Sequence, residues 1–215
     1  MRIREEEALR YLGAKGRADD ATVALLKSAA ARLEGCADPR HTALRVPLKA
    51  EGSLVSFGPF TADCPALATH IAHCKEASLF AATLGAEVDR AMARFMKLDV
   101  ALAFAMQAAA ASALECYCDD VCASLSAQCE REGLYLRPRF SPGYSGFSIE
   151  HQTDLLRALD AGRRIGLSET DTHMLTPLKS VTAVVGVTPA QQPCAQHKCA
   201  LCPNLLCEYR KELPQ

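Results

Sequence analysis

Hydrophobic positions change their period several times along the chain, and each change marks an element. Between Asp20 and Glu34 the apolar groups Val23, Leu26, Ala30 and Leu33 recur at helical spacing, with Asp19-Asp20 ahead and Gly35 behind. That spacing predicts a helix with one face on a core. From Leu44 to Phe60 apolar and polar positions alternate: Leu44, Val46 and Leu48 share a face, Glu51-Gly52 reads as a turn, and Leu54-Val55-Ser56-Phe57 follows. A hairpin is expected there. Asp63 and then Pro65 open a helix carrying Leu67, Ile71 and Cys74. The run from Ser78 to Leu84 stops at Gly85 and reads as a strand, and Val88, Met92, Phe95 and Met96 restore the helical period.

From Asp99 to Glu132 the chain has neither glycine nor proline, is rich in alanine, and stops at Gly133. A helix there is about 50 Å long and should be the spine of the fold. Leu134 to Ser141 reads as a short strand running into Pro142-Gly143, Ser148 can cap a helix bearing Leu155, Leu156 and Leu159, and Val181, Ala183, Val185 and Val187 alternate as a last strand. Helices separating strands, with a hairpin among them, give an α/β or α+β layered fold around an antiparallel or mixed sheet. No internal repeat is visible. After Pro189 the periodicity ends, so the chain divides into a domain over residues 1–188 and a cysteine-rich tail over 189–215.

Composition changes this picture in one respect. With 215 residues, 49% hydrophobic and 23% charged, the chain is long enough to bury a core without cross-links, so its eleven cysteines are not needed as staples. Lys and Arg number 24 against 25 Asp and Glu, with no basic run interleaved with aromatics, which argues against a nucleic-acid surface. The opening Met1-Arg2-Ile3-Arg4 lacks the apolar stretch of a signal peptide, and no run of about 18 uncharged apolar residues suggests a membrane span. A cytoplasmic protein with reduced thiols is expected.

Four of those thiols, Cys194, Cys199, Cys202 and Cys207, crowd the tail, with Pro203 after the C-x2-C pair and His197 as a spare donor. Together they could enclose zinc or an iron–sulfur cluster, and spacing alone does not choose between them. Cys116, Cys118, Cys122 and Cys129 on the long helix read as small buried residues. His70, His73 and Cys74 make an incomplete ligand set, and Asp171-Thr172-His173 resembles a cobalamin-ligating motif only by coincidence, since Thr176 stands where the motif has glycine. There is no G-x-G-x-x-G, P-loop or G-x-S-x-G, and no C-x3-C-x2-C of radical enzymes. Arg137 to Phe147 holds two prolines and two glycines around Arg139 and Tyr144, a composition suited to a ligand loop or to a rigid turn.

The run RFSPGYSGFSIEHQ, followed after one helix by IGLSETDTHMLTPLKSVTAVVG, resembles the S-adenosylmethionine (SAM)-binding activation domain of cobalamin-dependent methionine synthase, most of all its short free-standing relatives. EEALRYLG, LFAATLGAEVD and ALECYCDD extend the resemblance over about residues 5 to 188. It implies a C-shaped single domain with a twisted sheet flanked by helices. By the same resemblance Arg139 meets the SAM carboxylate, Ser141, Pro142 and Gly143 lie along the ligand, Tyr144 packs on the site, and Glu115 pairs with the ligand's amino group. In the synthase this domain supplies a methyl group to cobalamin that has been oxidised to the cob(II) state, while a flavodoxin-type donor supplies an electron. The chain departs from the pattern at Ser145-Gly146 and in having the cysteine tail where the synthase has a tyrosine pair. The expected function is therefore a reactivation partner for a separate cobalamin-binding methionine synthase or corrinoid protein, with a flavodoxin- or ferredoxin-type donor or a tail cluster supplying the electron. The alternative is a non-catalytic SAM-binding or cobalamin-protein-docking module with a structural metal tail.

Overall fold

The computed structural model describes residues 1–14 and 18–190. The tail cysteines Cys194, Cys199, Cys202 and Cys207 lie outside the described residues. The chain begins with α1 (Glu5–Tyr11) and α2 (Asp20–Glu34), where Asp19 caps α2 by accepting from the Thr22 amide at 2.7 Å. β1 (Arg40–Pro47) follows, then three short strands, β2 (Lys49–Glu51), β3 (Leu54–Ser56) and β4 (Thr61–Asp63). After α3 (Pro65–His70) come β5 (Glu76–Thr83), α4 (Ala86–Leu98), α5 (Val100–Glu130) and β6 (Tyr135–Leu136). The described chain closes with α6 (His151–Ala158), α7 (Ala161–Ile165), β7 (Ser168–Glu169), β8 (Leu175–Thr176) and β9 (Ser180–Thr188).

The main sheet has the order β1-β5-β9-β6 and is antiparallel at every pairing, with Leu79 opposite Leu44 on one side and Val184 on the other. This settles the expected choice between antiparallel and mixed in favour of the former. β5 is buried on both faces, which is why its sequence reads as an unbroken apolar run. Its residues divide by parity. Phe80 and Ala82, with Leu84 just beyond the strand, join Ala183 and Val185 under the helical layer of α1, α2, α4 and α5. Ala77, Leu79 and Ala81 join Val184 in a second core with α3, α6, α7 and the small β2-β3-β4 sheet.

α5 is the expected spine. Asp99 caps it, accepting from the Leu102 amide at 3.0 Å, and Ala105, Ala109, Ala110 and Ala113 are fully buried beneath it. Those small side chains let the sheet and α2 approach the helix closely. α5 is long and apolar enough to cross a membrane by length and composition, but 61% of its most apolar stretch is buried inside this domain. Cys116, Cys118 and Cys129 are buried in it, as small hydrophobes would be, while Cys122 is half-exposed.

Several elements differ from the sequence expectation. The alternation from Leu44 onwards is two structures: β1 joins the main sheet through β5, and only the part beyond Pro47 forms a hairpin, with β4 added to it. Asp63 ends β4, and it is Cys64 that caps α3, its sulfur accepting from the Leu67 amide at 3.4 Å. Ser148 caps a turn ahead of α6, accepting from the Glu150 amide at 3.3 Å.

Candidate functional site

The expected strand from Leu134 to Ser141 pairs with β9 in two pieces, and the break between them builds the site. Tyr135 lies opposite Thr188 and Leu136 opposite Val187, the Arg137 amide donates to the Gly186 carbonyl at 2.8 Å, and then Phe140 lies opposite Val184. From Leu136 to Phe140 the strand advances one residue more than β9 does from Val187 to Val184. The extra residue is a bulge at Pro138-Arg139. Proline suits it, having no amide to leave unpaired, and the Pro138 carbonyl accepts from His70 Nε2 at 2.8 Å.

The bulge decides which way Arg139 points. Strict alternation from Leu136, which packs in the helical core, would send Arg139 to the opposite face and Phe140 to the helical one. Instead Phe140 packs in the second core beside His70 and Phe147, and Arg139 reaches α5. There Nη2 donates to Glu115 Oε2 at 2.7 Å, and Nη1 lies 3.0 Å from Asp119 Oδ1 and 3.6 Å from Cys122 Sγ. Residues 115, 119 and 122 are neighbours on one helical stripe, so a single guanidinium spans all three.

The N-terminal segment closes the network from the other side. Ser112, one turn before Glu115, accepts from the Arg4 amide at 2.9 Å and donates to the Arg4 carbonyl at 3.2 Å. Arg4 Nη2 also bonds Asp119 Oδ2, and its Nη1 is 3.4 Å from Glu7. Asp119 therefore bridges two guanidiniums. Arg139 is the inner partner, its side chain 16% exposed against 41% for Glu115 and 40% for Asp119. Burial works against the Arg139 charge, but Cys118, Cys122 and Glu115 outweigh it, so its proton is held more tightly than in free arginine. Burial likewise pushes the Asp119 carboxyl up, and Arg4 and Arg139 overcome this to hold it below the usual carboxylate range. Burial pushes the Cys118 thiol up to about 12, so Cys118 is an inert packing group. Burial, Glu7 and Glu115 raise the Tyr11 phenol, which places α1 within electrostatic reach of the same cluster.

Beyond the bulge the chain turns tightly. Gly143 has φ +86°, its amide donates to the Phe147 carbonyl at 2.7 Å, and the Phe147 amide returns a bond to the Tyr144 carbonyl at 2.9 Å. A side chain at Gly143 would be strained by that φ and would press on Ile149 at 3.2 Å. The turn is anchored by Phe147, buried and stacked on His151, and by the Cys64 thiol donating to the Ser145 carbonyl at 3.7 Å. Pro142 is buried, Ser141 half-buried, and Tyr144 stands 69% exposed at the tip.

Of the residues singled out in the sequence, Arg139 and Glu115 are thus brought into direct contact, and Ser141 to Tyr144 follow in the adjoining turn. Asp119 and Arg4, which complete this cluster, were not singled out, and Cys122, read as a small buried residue, instead lies half-exposed beside Arg139. The i, i+4 spacing of Glu115 and Asp119 could have signalled the second carboxylate, whereas nothing local signals Arg4. Among the described residues no three His, Cys, Asp or Glu side chains are grouped to hold a metal. His70 serves Pro138, Cys74 is buried against Gly186, and His173 lies 3.1 Å from Glu169 in the β7–β8 hairpin.

No family model and no curated protein sequence matches the chain. Among solved structures, the crystal structure of the MetH reactivation domain bound to AdoHcy is similar over 88% of this chain and 77% of that one, with a TM-score of 0.65 and 15% sequence identity. The chain shares the fold of that domain.

Proposed function

We propose that the chain binds SAM and acts as a reactivation partner, supporting reductive methylation of cob(II)alamin carried by a separate methionine synthase or related corrinoid protein. One observation carries the reading: in a fold shared with a domain solved with AdoHcy bound, a mostly buried guanidinium and a half-exposed carboxylate sit 2.7 Å apart beside a glycine turn. The α-amino-acid end of SAM or AdoHcy is a zwitterion. Its carboxylate can take the place of Glu115 on Arg139 while its ammonium takes the released Glu115, so each charge exchanges one partner for another. Such an exchange strands no buried charge, which is the main cost of opening an ion pair. Each new charge-assisted hydrogen bond contributes about 1.5–3 kcal/mol when desolvated.

The remaining parts fit the rest of such a ligand. The Ser141-Pro142-Gly143 backbone lies next to Arg139 with little side-chain bulk, and the exposed Tyr144 ring can cover a bound molecule. SAM supplies the chemistry, a sulfonium methyl that leaves with S-adenosylhomocysteine as product while an external donor gives one electron to the cobalt. The protein's part is to hold the sulfonium in place and present it to the corrinoid protein. The tail cysteines Cys194, Cys199, Cys202 and Cys207 are proposed to hold zinc or an iron–sulfur cluster, the latter being able to deliver that electron.

The test is a two-step assay. Calorimetry with SAM should show one site, and anaerobic incubation of the chain with a cob(II)alamin-loaded corrinoid protein, SAM and a flavodoxin-type reductant should yield methylcobalamin. SAM binding without methyl transfer to any corrinoid partner would make the chain a docking module. Absence of SAM binding would end the proposal.

A further inference from the structure

Arg4 is tied to the candidate site by its backbone and its side chain together, although its position in sequence gives no hint of it. Ser112 pins both the amide and the carbonyl of Arg4 to α5, so the side chain has a fixed origin. From there Arg4 reaches one oxygen of Asp119 while Arg139 reaches the other. Asp119 therefore competes with any incoming carboxylate for Arg139, and it has a second cation to fall back on.

We infer that Arg4 is a positioning residue for ligand entry: it retains Asp119 when a ligand carboxylate displaces that side chain from Arg139, so that the site opens without leaving Asp119 unpaired. This rests on the reading that the amino-acid end of a SAM-type ligand enters between Arg139 and Glu115. Three features support it. Asp119 presents separate oxygens to the two guanidiniums, so losing one contact leaves the other intact. Nη1 of Arg139 is 3.0 Å from Asp119 while Nη2 is 2.7 Å from Glu115, so a carboxylate bridging both nitrogens must displace both acids. Glu115 would then receive the ligand's ammonium, but Asp119 receives nothing from the ligand and depends on Arg4.

The experiment is a double-mutant cycle on SAM affinity, read by calorimetry with Arg4→Met, Asp119→Asn and the double variant. Arg4→Met should weaken binding about fivefold, because Asp119 then clings to Arg139 alone. Asp119→Asn, which removes the competitor, should tighten binding by a similar factor. In the Asp119→Asn background, Arg4→Met should change affinity less than twofold. A structural role for Arg4 would give the same loss in both backgrounds, and that result would overturn the inference, as would weaker binding in Asp119→Asn. If Arg4→Met does not fold, Arg4→Lys serves in a chain that keeps Asp119. Near wild-type affinity in that variant supports the charge role, and a fivefold loss, with no gain in Asp119→Asn, contradicts it. A wild-type chain that binds no SAM removes this inference and the proposed function together, whereas binding with no coupling between the two positions removes this inference alone.

Discussion

The two faces of the main sheet are covered by different kinds of side chain. Under the helices the sheet meets alanines of α5 together with Leu26, Leu33 and Met106, and the stripe of Glu115, Asp119 and Cys122 on the same helix meets Arg139. On the other face Phe57, Phe60 and Phe147 fill an aromatic layer between the sheet, α6 and the small β2-β3-β4 sheet. The Pro138-Arg139 bulge belongs to both. It sends Arg139 to the helical side and, one residue later, Phe140 to the aromatic side. Packing and charge are thereby separated across adjacent residues: the aromatic face fixes the loop, and the helical face gathers the charges.

The largest test of that division is Phe147→Ala. The ring is 1% exposed and stacks on His151, so its loss should cost about 3–5 kcal/mol in urea unfolding and release the turn at Gly143. On the helical face, Ala109→Leu should cost about 1–3 kcal/mol by overpacking, since Ala109 is fully buried where α5 meets its neighbours. Arg139→Met should behave in the opposite way. Glu115 is about two-fifths exposed and can return to water, and Asp119 keeps its contact with Arg4, so unfolding stability should fall by no more than about 1 kcal/mol. SAM affinity in the same variant should fall about tenfold or more. A large stability loss with unchanged affinity would show that Arg139 belongs to the scaffold.

Acid titration gives the smallest effect. Asp119 is held below its unfolded value of about 3.9, so its contribution to stability is complete above that pH and is lost as pH falls through the lower folded value. The midpoint of urea unfolding should therefore drop less between pH 5 and pH 3 in Asp119→Asn than in the wild type. Equal slopes would remove Asp119 from the network.

How much of this was legible in the sequence follows from the range of each interaction. α5 and β5 were visible because an alanine-rich stretch free of glycine and proline and an unbroken apolar run are local signals of a core helix and a central strand. The split of the 44–60 alternation into two sheets was not, because a period of two gives a strand but does not name its partner. Glu115 and Arg139 came from the family resemblance. Their direct contact depends on a bulge whose register is set by β9, a strand distant in sequence that pairs Val184 with Phe140. Arg4 joins through a pairing that spans 115 residues, which no local pattern encodes.

In the proposed function, the contact between Arg139 and Glu115 is a placeholder for the amino-acid end of a ligand. A crystal structure of the chain grown with AdoHcy shows whether it is. The expected result is that the 2.7 Å contact opens, with the ligand carboxylate on Arg139 and the ligand ammonium on Glu115. An intact Arg139–Glu115 pair, with AdoHcy bound elsewhere or not at all, would contradict it.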